Sequence, residues 1–335
     1  MLLSKSAHLT LASFHVCHSR LAYCNKQFGL FVQFILNDYK MNLQVIKYWF
    51  LASRPKTLTA AFVPVLLGMS LVNFLGFAIQ LDLIVCALGS ALLIQIGTNF
   101  FNDAIDFVKG TDTKERIGPT RLAQSGLIKP KVLMQAGIGS FVLAALLGVP
   151  LVVIGGWPIF WIGVLGIICG YAYTSGPFPL SYKGVGEIFV VIFFGIIAVA
   201  GIVYLHSFAW PVQAFVLGLQ VGLLATVLLA INNLRDVVGD KKVNKQTFPV
   251  RFGIKSAKIE IILLLIVPFC LQFYWYLQQN YLASFLPLLV FPLVISLCNS
   301  VWQANPGSIY NKFLAKAAGV HLLFGVLLSG GLLWG

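Results

Sequence analysis

Residues 82–106 read DLIVCALGSALLIQIGTNFFNDAID. An apolar run long enough to cross a bilayer, which takes about 20 residues, stops on Asn102, Asp103 and Asp106, with Gly110 and Asp112 close behind. A second run, 210–236, reads WPVQAFVLGLQVGLLATVLLAINNLRD and stops on Asn232, Asn233, Arg235 and Asp236, followed by Asp240. Carboxylates at a membrane surface are costly unless they bind something. Hard oxygen ligands gathered in this way suit Mg²⁺, which prefers one or two carboxylates together with substrate phosphates. The pattern predicts a diphosphate held by Mg²⁺ at the mouth of a membrane cavity.

The composition around these stretches fits that setting. The 335 residues are 59% hydrophobic and 10% charged, whereas soluble domains are roughly a quarter charged. Nine apolar runs, near 59–76, 82–101, 131–154, 157–174, 187–206, 210–232, 259–277, 281–299 and 314–333, predict an all-α integral membrane fold with the lipid bilayer as its surroundings. A net charge of +13 would suggest nucleic acid in a soluble protein. Here all 23 Lys and Arg fall before the first run, in alternate loops, or at the edges of those loops. That is the positive-inside pattern. It argues against nucleic acid and puts both acidic motifs on the inward, cytoplasmic side. Six cysteines with no CxxC pair read as small apolar filler.

Residues 1–45 differ from the rest. Lys5, Arg20, Lys26 and Lys40 face a single acid, Asp38, and no run is long enough to span. The composition fits an organelle transit segment or an extension ahead of a working protein that starts at Met41. The aromatic and basic lead from Tyr48 through Lys56 already reads as an interfacial entry to the first span, which favours the second reading. The expected working unit is one transmembrane domain over 46–335. His8, His15, His18, Cys17 and Cys24 match no zinc spacing.

The two motifs lie 130 residues and four runs apart, so both leave the membrane on the same face. They predict a parallel four-helix pseudo-repeat with a site between its halves. Residues three or four apart share a helix face. Asn102 with Asp106, Asp103 with Asp106, and Asn232 with Asp236 and Asp240 therefore form rows of oxygen ligands. One cluster alone would pass for helix capping, but two at equivalent positions argue for binding. Basic residues flank both rows, and Arg121, Lys245 and Arg251 lie deep enough in their loops to reach a diphosphate. A third loop carries Tyr171, Tyr173 and Tyr182. These tyrosines fit either an interfacial belt or an aromatic wall facing a carbocation.

These residues resemble the UbiA-type superfamily of intramembrane aromatic prenyltransferases over about 50–335. Asn102-Asp103-x-x-Asp106 with Asp112 is similar to that family's first aspartate motif, and Asp236-x-x-x-Asp240 to its second. Within the superfamily, four stretches resemble the 1,4-dihydroxy-2-naphthoate polyprenyltransferases of menaquinone synthesis. They are Arg116-x-Gly118-Pro119-x-Arg121, Tyr173-Thr174-x-Gly176-Pro177, Asn232-Asn233-x-Arg235-Asp236, and Lys245 through Gly253. The resemblance implies nine transmembrane helices around a central cavity. It implies Mg²⁺-dependent transfer of a polyprenyl group from polyprenyl diphosphate to dihydroxynaphthoate, with loss of the carboxylate, in a bacterial inner membrane or, alternatively, a plastid membrane. On that reading Asp103, Asp106, Asp112, Asp236 and Asp240 hold metal, and all of these but Asp112 are catalytic. Asn102, Arg121, Tyr173, Asn232, Asn233, Arg235, Lys245 and Arg251 then bind substrate. Another aromatic acceptor, such as 4-hydroxybenzoate or homogentisate, and a phytyl donor are the alternatives within the superfamily. A secondary transporter would carry its acids near span midpoints, not at span ends.

Overall fold

The computed structural model describes residues 43–111, 117–119 and 121–335. Most of the N-terminal extension and Asp112 therefore lie outside the described residues. The chain groups into two units, Met1–Trp49 and Phe50–Gly335. Of the first, the structure describes the opening turns of helix α1 (Leu43–Ala52). The second is built of helices joined by loops, with no strand among its described residues.

Its long helices follow the apolar runs. Helix α2 (Pro55–Phe74) opens on a proline, whose fixed φ and missing N–H suit a first helical position. Helix α3 (Leu81–Val108) has 28 residues and is about 42 Å long at 1.5 Å per residue. A hydrocarbon core of about 30 Å is shorter than that, so the helix has turns to spare for the polar residues at its C-terminal end.

Helix α4 (Pro130–Ala172) has 43 residues, broken at Gly156 (φ 63°, ψ −151°). That backbone is outside the range of other residues, and Pro158 beyond it cannot continue the helical hydrogen bonding. Contacts with α3 establish a reversal there. Ser90 bonds to Ala144 O and Gly97 lies against Phe141, so the first half runs antiparallel to α3. Ile94 meets Gly166 and Thr98 meets Gly170, so the second half runs parallel to it. The two halves are the separate spans predicted at 131–154 and 157–174.

Helix α5 (Gly186–Ser207) contains a π-helical stretch, Ile192–Ile197, and packs on helix α6 (Val212–Arg235). A Cβ on Gly195 would lie 2.3 Å from Gly218 O and 2.5 Å from Gly222 Cα, so small residues permit this approach, as in other lipid-embedded bundles. Short α7 (Val237–Lys242) is followed by α8 (Phe248–Cys270), interrupted at Gly253, and α9 (Gln272–Leu277). Two further long helices, α10 (Tyr281–Gln303) and α11 (Tyr310–Trp334), complete the bundle. Leu67 and Leu71 of α2, Leu217 and Leu224 of α6, and Phe324 and Leu328 of α11 are fully buried in a shared core.

Seven helices among the described residues are long and apolar enough to cross a membrane, α4 counting once. Dividing α4 at Gly156 and adding the α8–α9 stretch, whose charged first turns keep it out of that set, is compatible with nine crossings. The chain is an integral membrane protein of all-α architecture.

Candidate active site

One cavity of about 580 Å³ runs through the Phe50–Gly335 unit. Both motifs open onto it. Asn102, Asp103 and Asp106 line it from α3, and Asn232, Asn233, Arg235 and Asp236 line it from the end of α6. Arg121, Tyr173 and Lys245 complete its polar end. The rest of the wall is apolar, with Ile94, Gly163, Phe189, Phe193 and Leu228 among its members. Along α3 the lining extends from Asp106 back to Ala87, about 28 Å of helix. The site is therefore a long greasy slot with a charged mouth.

The first row is held by a loop and by tyrosine. Asp103 is 3% exposed. Its Oδ2 accepts from Leu122 N at 3.0 Å and its Oδ1 from Ala123 N at 3.2 Å. The carboxylate thus caps the turn over 121–126 and places Arg121, itself buried, over the row. Arg121 Nη2 lies 3.6 Å from Asp106 Oδ2, and Tyr182 Oη donates to Asp106 Oδ1 at 3.0 Å. Asn102 Oδ1 accepts from Thr174 Oγ1, which orients that amide.

The second row carries its own cations. Arg235 grips Asp236 with two bonds, Nε to Oδ1 at 2.8 Å and Nη2 to Oδ2 at 2.6 Å, and its Nη1 donates to Asn311 Oδ1 at 2.8 Å. Lys245 Nζ lies 3.5 Å from Asp240 Oδ1, and Thr247 Oγ1 donates to Asp240 Oδ2 at 3.3 Å. Burial pushes the Asp240 carboxyl up from the usual range and Asp236 adds to the rise, while Lys245 and Thr247 oppose it. Asn233 Nδ2 donates to Glu187 Oε1 at 2.6 Å. The Asn232 side chain faces the cavity and has no hydrogen bond to another described residue.

Most of the residues expected from sequence therefore meet at one mouth. Asp240 sits just behind it, joined through Lys245. Arg251 is not among the residues lining the cavity: its side chain is exposed and lies by Gly184, where a Cβ would be 3.4 Å from its Nε. Tyr182, read from sequence as belt or aromatic wall, Thr174, part of a family-like stretch, and Glu187 and Asn311, which were not singled out, belong to its framework. Tyr182, Thr174 and Glu187 all lie in or just after the third tyrosine-bearing loop, where a polar side chain at a span end was the available signal. Asn311 comes from the start of α11 and bridges Arg235 to Ile117 O, and nothing in the local sequence marks it.

Among the described residues no three His, Cys, Asp or Glu side chains converge into a metal cage. Asp106 and Asp236 nonetheless face one cavity, which fits a hard cation held by one or two carboxylates and completed by a substrate's phosphate oxygens.

The comparisons agree with this geometry. A model of the UbiA prenyltransferase family matches residues 61–322. The chain is 34% identical over 288 residues to 1,4-dihydroxy-2-naphthoate octaprenyltransferase of Bacillus subtilis, an alignment covering 84% of this chain and 90% of the relative. It is also 34% identical to the protein of the same name from Haemophilus influenzae, covering 88% and 99%. Among solved structures, a UbiA homolog from Archaeoglobus fulgidus bound to GPP and Mg²⁺ superposes with a TM-score of 0.60 at 16% identity, over 84% of this chain and 99% of that one. That likeness speaks for the fold, while the family model and the sequence relatives fix the lineage: this chain belongs to the UbiA prenyltransferase family.

Proposed function

We propose that the protein transfers a polyprenyl group from polyprenyl diphosphate to 1,4-dihydroxy-2-naphthoate, with loss of the carboxylate as CO₂ and release of diphosphate, to give demethylmenaquinol, the reduced form of demethylmenaquinone. One observation carries the reading: two acidic rows with their basic partners share the mouth of a cavity whose remaining length is apolar. A diphosphate head fits the mouth and an isoprenoid tail fits the slot. The naphthoate relatives, similar over most of this chain, support the choice of acceptor.

In this scheme Asp106, Asp236 and Asp240 would hold Mg²⁺, which would supply Lewis-acid stabilisation of the leaving diphosphate's charge. Asp103 serves the same row from behind, its oxygens holding the turn that carries Arg121. Arg121 and Lys245 face the diphosphate as preorganised donors. Once the carbon–oxygen bond to diphosphate breaks, the apolar walls keep water from the allylic cation. Tyr173 offers an aromatic face beside it. The electron-rich ring attacks at the carbon bearing the carboxylate, and CO₂ leaves. The tail stays among apolar side chains throughout.

The working domain is 46–335, set in a bacterial plasma membrane with both motif loops cytoplasmic; the basic residues of those loops support that orientation. The test is an assay of purified protein in lipid with dihydroxynaphthoate, a series of prenyl diphosphates and controlled Mg²⁺. A prenylated, decarboxylated product that disappears on chelation is expected. No product with any prenyl diphosphate, or a prenylated product that retains its carboxylate, would refute the reading.

A further inference from the structure

Tyr182 belongs to neither acidic row, touches the first and meets the loop that follows the second. Its hydroxyl donates to Asp106 at 3.0 Å and lies 3.1 Å from Thr111 Oγ1. Its carbonyl accepts from Gln246 N at 3.0 Å, joining it to the loop of the second row. Two lysines lie over its ring: Lys109 Nζ at 4.7 Å and Lys245 Nζ at 5.6 Å from the centroid. Lys109 follows the first row and Lys245 follows the second.

A tyrosine face attracts cations, but two ammonium groups within reach of one ring repel each other. Each is offset in a different way. Lys109 donates to Thr174 O at 2.8 Å, and Lys245 lies 3.5 Å from Asp240. Neither oxygen is lost to the ring. If Asp240 turns to a metal ion, Lys245 gives up its carboxylate while the ring, which Lys109 also meets, still holds it. Two lysines from the two motif loops against one ring, with Asp240 drawn off Lys245, suit a doubly charged anion.

We propose that Tyr182 is the positioning residue of a diphosphate clamp, its ring holding Lys109 and Lys245 at one anion and its hydroxyl fixing Asp106 in register. This rests on the proposed function and adds Lys109 to the groups that meet the diphosphate. It also gives Tyr182 a role that an interfacial-belt tyrosine would not have.

The experiment acetylates lysines of the full chain in lipid, with and without Mg²⁺ and inorganic diphosphate, and reads each site by mass spectrometry. In the parent protein Lys109 and Lys245 are expected to be protected together. Tyr182→Phe keeps the ring and should keep that protection. Tyr182→Leu should lose it at both lysines and raise the KM for prenyl diphosphate about tenfold, the scale of a desolvated cation–π contact, with the naphthoate KM unchanged. Lys109→Met leaves the ring in place, so it reads the clamp even where Tyr182→Leu does not fold; it should raise only the prenyl diphosphate KM. Parent-like protection in Tyr182→Leu, or an unchanged prenyl diphosphate KM in Lys109→Met, overturns the clamp while the proposed function stands. Absence of protection in a parent protein that still forms the prenylated product also overturns the clamp, whereas absence of that product overturns the proposed function.

Discussion

The acidic rows at the ends of α3 and α6 look alike in sequence and are wired differently. In the first, Asp103 is satisfied by two backbone N–H groups and Asp106 by a tyrosine hydroxyl, with Arg121 at a looser 3.6 Å. In the second, each carboxylate has its own cation, Arg235 for Asp236 and Lys245 for Asp240. The first row is thus shaped by a loop and a tyrosine hydroxyl, with Arg121 beside Asp106. The second is neutral as it stands and must be opened. The lesson is that equal motifs divide the work: one row supplies a fixed anionic edge, the other supplies carboxylates together with the cations released when a metal takes them.

This difference can be broken at several points. The largest effects belong to Asp106→Asn and Asp236→Asn, which should each cut turnover by orders of magnitude, because metal stabilisation of a leaving group amounts to several kcal/mol. Their stabilities should diverge. Asp106→Asn keeps an oxygen for Tyr182 and should unfold near the parent temperature. Asp236→Asn strands the Arg235 guanidinium, whose side chain is 2% exposed, and should cost about 2–3 kcal/mol, less than a fully buried pair because Asp236 itself is partly open. Thermal unfolding in lipid checks the ordering, and equal losses would argue that the rows are wired alike.

Asp103→Asn comes next. It replaces an acceptor of two N–H bonds with a group that has one acceptor oxygen, so one bond is lost and a donor faces a donor. A stability loss of about 1–3 kcal/mol is expected, with lower turnover but the same Mg²⁺ requirement. A raised Mg²⁺ requirement would instead make Asp103 a direct ligand.

Lys245→Ala should raise the prenyl diphosphate KM about tenfold, as loss of a charged hydrogen bond does, with little change for naphthoate. Arg251→Ala, on the outer surface, should leave both within about twofold, as surface substitutions do. Steady-state kinetics on the pair decides whether the cavity boundary is drawn correctly. Smallest of all is the effect of starting the chain at Met41: orientation and Mg²⁺-dependent transfer should be retained, as activity and protease accessibility of the loops would show.

The long apolar runs made the fold legible, because a bilayer imposes length and hydrophobicity on every span. The acids were legible because charge is rare at such positions. The reversal inside α4 was also readable, from Gly155-Gly156-Trp157-Pro158. What stayed hidden depends on which side chains the bundle brings together. Arg251 lies in a motif-like stretch, yet its side chain is exposed and does not line the cavity. Asn311 enters the site from the last helix, 75 residues beyond Asp236 in the sequence. Tyr182 fitted an interfacial belt or an aromatic wall alike, and its bonds with Asp106, Thr111 and Gln246 and the two lysines at its ring depend on the folded bundle.

The central claim is that both rows hold one Mg²⁺–diphosphate assembly, and a double-mutant cycle in turnover tests it most directly. Residues that act as a unit are strongly non-additive. Asp106→Asn, Asp236→Asn and the combined variant, measured at saturating Mg²⁺ and substrates, should show the double variant about as slow as the slower single one. A double variant slowed by the product of the two single losses would mean that the rows act independently, and would contradict the account.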